Sequence, residues 1–180
     1  MKQEPSLRDL LFFSPVPTRL DAAYRLHRRL AHLLMRDFYF LQLQENLQNL
    51  RSALAAQMAQ MQLGTLCSHC ASTSGGGCCS SEMAGETDAV QILINLLAGI
   101  EVRTLQSDGS ACCFLGAEGC IFAFKPMFCL NYNCSHIHSR NTKEQVVELE
   151  GAAGKLLSAQ YHLENYLVEV ITREGLLLLK

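Results

Sequence analysis

The sequence predicts a mainly α fold, in which helices flank a compact, loop-rich cysteine-cluster segment. Leucines recur at helical spacing in the first third of the chain, and a helix-capping motif opens a second leucine-rich stretch near the other end. All nine cysteines fall between Cys67 and Cys134. We therefore expect a single domain with an N-terminal helical region at residues 1–63, the cysteine-cluster segment at 64–140 and a C-terminal helix at 141–180.

The N-terminal region is predicted to be helical because residues 18–63 contain no Pro or Gly and their leucines recur every three or four positions. Aromatic side chains crowd at 37–40, so the stretch fits either one very long helix or two helices that bend there. The face formed by Leu26, Leu30 and Leu33 is too apolar to be left in water. We expect it to pack inside the molecule, with a homodimer through these helices as the alternative.

The middle of the chain shifts in composition. Residues 72–77 read Ser-Thr-Ser-Gly-Gly-Gly, which predicts a flexible turn between two cysteine pairs. Thr87 with Asp88 can cap a helix through the apolar residues 90–97, and that helix is expected to be buried. Residues 101–111 are predicted to hold a short strand or a loop.

The C-terminal helix is predicted from a capping box. Thr142 and Gln145 stand three residues apart, so each side chain can accept a hydrogen bond from the other's backbone N–H at the start of a helix. The helical pattern then continues and stops near Gly175. Its apolar face, which should be buried, includes Leu156, Leu163 and Leu167.

Charge and hydropathy exclude two classes of partner. The formal net charge is -2, and residues 1–60 carry eight basic against five acidic side chains, a net +3. Acidic residues interrupt the basic ones, so we expect Arg25, Arg28 and Arg29 to lie outward on a solvated helix face and expect no nucleic-acid partner. No apolar run approaches the roughly 20 residues of a membrane span.

The cysteines indicate a metal site. Two thiols three residues apart, such as Cys67 and Cys70, fit one turn of backbone that directs both sulfurs at one ion. The competing interpretation is a disulfide framework, which would place the protein in an oxidising compartment. An odd cysteine count leaves one thiol unpaired, and residues 1–20 contain no apolar signal core, so we expect a cytoplasmic metalloprotein.

The second half of the cluster carries a more specific pattern. It reads Cys-Cys-Phe-Leu at 112–115, Gly-Cys-Ile-Phe at 119–122 and Lys-Pro-Met-Phe-Cys-Leu-Asn-Tyr-Asn-Cys at 125–134. With the four earlier cysteines, this resembles the YkgJ-type cysteine-cluster family, a zinc- or iron-chelating domain, over residues 64–138. Cys113 stands where that family has proline. The resemblance implies eight metal ligands: Cys67, Cys70, Cys78, Cys79, Cys112, Cys120, Cys129 and Cys134.

We favour an iron–sulfur cluster, of the 4Fe-4S type, with Zn²⁺ as the alternative. The adjacent Cys78 and Cys79 point in different directions on an extended backbone, and a cubane cluster spreads its thiolates further apart than a zinc ion does. Zinc is the alternative because closed sites made of four cysteines more often hold zinc than iron. Apolar residues near the cysteines would shelter a cluster: Phe114 and Phe122 as cofactor contacts, Tyr132 as a core residue whose hydroxyl reaches a sulfur, and Phe124, Met127 and Phe128 around them.

Three function classes follow. The favoured one is a redox or metal-handling protein, acting in electron transfer, redox sensing or metal transfer with a protein partner. The second is an interaction module that zinc only staples. The third is a component of a methyltransferase-like enzyme, although no arrangement of acidic side chains argues for catalysis. His69, His136 and His138 are expected to be surface imidazoles, with a ligand role as the alternative.

Overall fold

A computed structural model describes residues 6–73, 77–105 and 111–174, and it confirms the predicted mainly α class. A short π-helical segment, Asp9–Phe13, precedes the α-helices. The helices of the described residues are α1 (Val16–Leu34), α2 (Phe38–Gln60), α3 (Leu63–Ala71), α4 (Ser81–Gly85), α5 (Ala89–Leu97), α6 (Met127–Asn131), α7 (Ser135–Arg140) and α8 (Lys143–Glu174). One antiparallel hairpin, β1 (Leu115–Gly116) and β2 (Gly119–Cys120), lies between α5 and α6.

Helix α5 lies at the centre of the core. All nine of its residues are buried, as predicted for the apolar run at 90–97. Helix α1 packs along α5, while α2 packs along the long C-terminal helix α8, which also contacts α5. The two pairs of helices therefore share one core, with α5 and α8 in contact inside it.

Local capping chemistry sets where the helices begin. The carboxylate of Asp37 accepts a hydrogen bond from the Phe40 N–H at 3.0 Å, so residues 18–63 break into separate helices. Asp88 caps α5 in the same way, through the N–H of Gln91 at 2.7 Å. Thr142 and Gln145 form the predicted reciprocal capping box, with distances of 2.9 and 3.2 Å.

The buried faces follow the prediction with one error. Leu26 and Leu30 are fully buried, but Leu33 is 54% exposed, so its predicted burial was wrong. The buried stripe of α1 advances in steps of four to Leu34, which leaves Leu33 at its edge. The predicted face of α8 is confirmed, since Leu156, Leu163 and Leu167 are all buried.

The remaining surface predictions also have outcomes. Arg25, Arg28 and Arg29 are exposed as expected, and Arg25 pairs with Asp21 at 2.8 Å. None of the helices in the described ranges is long and apolar enough to cross a membrane. The cysteine-cluster segment contains α3 to α7 and the hairpin, so it is more helical than the loop-rich expectation. The prediction of a short strand or a loop at 101–111 lies partly outside the described residues. Residues 101–105 have no regular secondary structure, and 106–110 are not among the residues described.

Candidate metal centre

The nine cysteines lie on six separate pieces of the fold, and all are free thiols. Cys67 and Cys70 lie one turn apart on α3, and Cys134 is the N-cap residue of α7. The others lie before α4 (Cys78 and Cys79), before β1 (Cys112 and Cys113), on β2 (Cys120) and on α6 (Cys129). Their proximity must therefore come from the packing of these elements.

A glycine contact joins the first group of cysteines to the second. A Cβ on Gly64, in the first turn of α3, would collide with the backbone carbonyl of Glu118 in the hairpin turn. Opposite it, Gly119 has a φ of +113°, and a Cβ there would lie 2.9 Å from the Gly64 Cα. The Ser68 hydroxyl adds a hydrogen bond of 2.7 Å to the Gly116 carbonyl. Helix α3 can thus lie directly against the hairpin.

A buried asparagine holds the loop that follows the hairpin. The Asn95 side chain is fully buried in α5, and its Oδ1 accepts from the N–H groups of Ala123 and Phe124 at 2.9 and 3.0 Å. Its Nδ2 donates to the Phe124 carbonyl at 2.8 Å, and the Nε2 of Gln91 donates to the same oxygen at 2.7 Å. This anchor fixes the loop between Cys120 on β2 and Cys129 on α6.

Four thiols form a continuous chain of sulfur contacts, which we call the closed set. The single S–H of Cys79 can donate to the sulfur of either Cys67 or Cys78, and Cys78 also accepts from Cys134. These bonds favour the thiolate, so they lower the pKa of Cys78 to about 6 and lower the pKa of Cys67. The donor Cys79 has a raised pKa because hydrogen bonding of its S–H to a neighbouring sulfur, first that of Cys67, favours the protonated form.

Three further thiols, Cys112, Cys120 and Cys129, lie within electrostatic range of one another, and we call them the open set. No hydrogen bond between thiols perturbs their pKa values. Burial raises the pKa of all three thiols, and the pKa of Cys129 reaches about 12 because Cys120 also disfavours its thiolate. Without a metal the open set is therefore protonated near neutral pH, unlike Cys78.

Two adjoining cavities lie among the cysteines, and each is lined by thiols of both sets. A cavity of about 590 Å³ is lined by the whole open set and by Cys67 and Cys79 of the closed set. A cavity of about 60 Å³ lies behind it, with Cys67, Cys79 and Cys129 shared between the two. Six of the eight implied ligands line one or both cavities: Cys67, Cys78, Cys79, Cys112, Cys120 and Cys129.

The other cysteines lie to the side. Cys70 lines neither cavity, although its thiol is within electrostatic range of Cys78 and Cys134. Gly77 leaves it room, because a Cβ at that position would lie 3.0 Å from the Cys70 sulfur. Cys113 also lines neither cavity, and burial raises its pKa to about 11. His69, His136 and His138 are exposed, as surface imidazoles are.

The aromatic residues near the cysteines are placed differently from the prediction. Tyr132 and Phe128 line the small cavity, but Tyr132 is 58% exposed, so its assignment to the core was wrong. Helix α6 is only five residues long and presents Met127 and Phe128 outward. Phe114 and Phe122 are buried against each other, with ring centroids 4.7 Å apart, and line neither thiol cavity.

The donor chemistry suits a soft metal, but the sulfurs are not yet aimed at a common point. Within residues 6–73, 77–105 and 111–174, no three Cys, His, Asp or Glu side chains are arranged as ligands around one ion. The closed set nevertheless offers four thiols linked in a chain, and thiolates are preferred ligands of zinc and iron–sulfur clusters. The ammonium of Lys125 favours the thiolates of Cys67 and Cys120. These residues therefore fit a metal in the chemistry of their donor atoms, whereas the arrangement of the sulfurs does not form a coordination site.

Sequence reasoning missed the residues that assemble the centre. Gln91 and Asn95 are polar residues four positions apart in an otherwise apolar helix. Because buried polar side chains are nearly always hydrogen-bonded, this pattern could have indicated a buried hydrogen-bond network. Gln160 of α8 extends that network by donating to the Gln91 Oε1 at 2.7 Å. For Gly64 the sequence carries no comparable signal, because only the distant hairpin makes its small size necessary.

Comparisons with protein-family models, with curated proteins and with solved structures found no match to this chain. The resemblance to the YkgJ-type family therefore remains a prediction based on the cysteine motifs.

Proposed function

We propose that this protein is a cysteine-cluster metalloprotein, with an iron–sulfur cluster as the favoured cofactor and Zn²⁺ as the alternative. The observation that carries the proposal is the gathering of the thiols: cysteines spread over residues 67–134 line two adjoining cavities or contact the thiols that do. Thiols gathered in this way can act together as ligands of a soft metal centre.

The closed set is the part of the site that would hold the cofactor. Its four thiols are linked in a chain, and the lowered pKa of Cys78 makes a thiolate available at neutral pH. The small cavity beside it is lined by apolar side chains, including Leu149 and Ala153 of α8, which limit access of water. An iron–sulfur cluster would supply one-electron transfer, so the protein would act in electron transfer, redox sensing or metal handling with a protein partner.

Metal analysis of the protein purified without oxygen tests the proposal. We expect iron and acid-labile sulfide with broad visible absorption; zinc and a colourless protein would support the alternative cofactor. Cys134→Ser should lower the metal content because Cys134 is hydrogen-bonded to Cys78. Cys113→Ser is the matched control and should leave the metal content unchanged, since Cys113 stands where the YkgJ-type family has proline and is not hydrogen-bonded to the closed set. Absence of metal from the wild type, or equal loss in both variants, would refute the assignment.

A structural metal also makes a prediction about folding. Removal of the metal by chelation should reduce amide protection across residues 64–138, because ligand binding is coupled to the folding of the segments that supply the ligands. Retention of full protection and of the same thermal transition would show that the metal is not structural.

The second candidate is a protein-interaction module stapled by zinc. It is favoured by exposed apolar side chains at the junction of α1 and α2, where Phe38 is 75% and Tyr39 is 55% exposed. This function predicts that Phe38→Ser weakens binding of a protein partner without changing the metal content, whereas the redox function predicts no effect on electron transfer from that change.

A further inference from the structure

The large cavity offers more space than a metal ion requires. Its volume of about 590 Å³ lies within the range of about 300–1,000 Å³ that is typical of small-molecule sites. A metal ion held about 2.3 Å from thiolate sulfurs would occupy only the end of the cavity where the cysteines lie. The rest of the cavity is bounded by the end of α2, the first turn of α3 and the β1–β2 hairpin.

The open set leaves room for a ligand from outside the chain. Its three thiols all face the large cavity, and none of them is hydrogen-bonded to another thiol.

The walls define what kind of ligand the cavity would accept. They are mainly apolar and include Met58, Leu63, Met83 and Leu115. Two charged side chains also line the cavity, Lys125 and the exposed Glu118. The Nζ of Lys125 lies 3.9 Å from the Met58 sulfur, and among the described residues it forms no ion pair with a carboxylate. The cavity thus pairs an apolar wall with an ammonium group that has no carboxylate partner within the described chain.

We propose that the large cavity binds a small organic acid, with its carboxylate at Lys125 and its hydrocarbon part against Met58, Leu63 and Met83. The open set lies beside the ligand in the wall of the same cavity. Binding of the acid to the cavity does not depend on the proposed metalloprotein function.

Octanoate is a suitable probe, and octanol is its uncharged analogue. Calorimetry on the full chain measures the affinity for each of the two probes, in the presence and in the absence of metal. We expect octanoate to bind the wild type and Lys125→Met to weaken it by about tenfold or more, the usual loss for a hydrogen bond to a charged group. Octanol should bind both proteins equally. Lys125→Arg keeps the charge and should retain binding, which separates loss of charge from loss of fold.

Lys155→Met removes an exposed lysine of α8 and is the matched control, with no expected effect on octanoate. Failure of octanoate to bind, or equal affinities in the Lys125→Met and wild-type proteins, would overturn the proposal. Metal content is measured on the same samples. Octanoate binding without metal would leave the cavity assignment standing and remove the metalloprotein function, and metal without octanoate binding would do the reverse.

Discussion

Replacement of Asn95 by alanine should be among the most damaging single changes in this protein. The Asn95 side chain is fully buried, and its Oδ1 is the acceptor for the backbone N–H groups of Ala123 and Phe124. Alanine would leave both donors without that acceptor, in the loop that positions the open set. The Phe124 carbonyl would keep one partner, because Gln91 also donates to it.

The magnitude follows from the number of groups left unpaired. A buried donor without a partner costs about 1–3 kcal/mol, so two donors together give about 2–6 kcal/mol. We therefore expect the free energy of unfolding to fall by about 4 kcal/mol in Asn95→Ala, the middle of that range. This is a large part of the total stability of a domain, which is about 5–15 kcal/mol. At roughly 2–4 °C per kcal/mol for a chain of this size, the midpoint of thermal unfolding should fall by about 10 °C.

Urea and thermal unfolding of the protein as purified, with metal content measured for each variant, report this change. Asn49→Ala is the control, because Asn49 is exposed on α2 and surface changes there should stay within about 0.5 kcal/mol. If the free energy of unfolding of Asn95→Ala lies within about 1 kcal/mol of that of Asn49→Ala, the hydrogen bonds do not hold the loop and the reasoning is wrong.

Three other predictions concern packing, titration and capping. Gly64→Ala should separate α3 from the hairpin and lower both the free energy of unfolding and the metal content. Gly151→Ala is the control: a Cβ at Gly151 on α8 meets nothing within 4 Å, so this change should raise the free energy of unfolding by up to about 1 kcal/mol. Equal midpoints of thermal unfolding in the two variants would contradict the close contact at Gly64. In the metal-free protein Cys78 should be alkylated first at pH 7, with a rate that falls about tenfold per pH unit below its pKa of about 6; peptide mapping that finds another cysteine reacting first would count against the hydrogen-bonded thiolate. Asp37→Ala should lower the free energy of unfolding by about 1–2 kcal/mol because the α2 cap is lost, together with the 2.5 Å hydrogen bond from Tyr166; an unchanged urea midpoint would mean that the cap contributes nothing.

The sequence by itself determined the helical class and several helix ends. Leucine spacing and the caps at Asp88 and Thr142 act within one or two turns, so their geometry depends on neighbouring residues alone. The sequence also indicated that the cysteines are candidate ligands of one site, because thiolates are the protein side chains that soft metals prefer. It did not determine that Leu33 and Tyr132 are exposed, since periodicity places a residue on a face without saying where the covering element ends.

Only the tertiary structure decided how the thiols divide into a closed and an open set. That division depends on contacts between residues far apart in sequence, such as Gly64 with Gly119 and Asn95 with Phe124. A glycine is required at the first contact because another backbone approaches it, and an asparagine at the second because two N–H groups of a distant loop need an acceptor. The physical reason is that close approach and hydrogen-bond satisfaction are properties of pairs, and the sequence around either partner does not name the other.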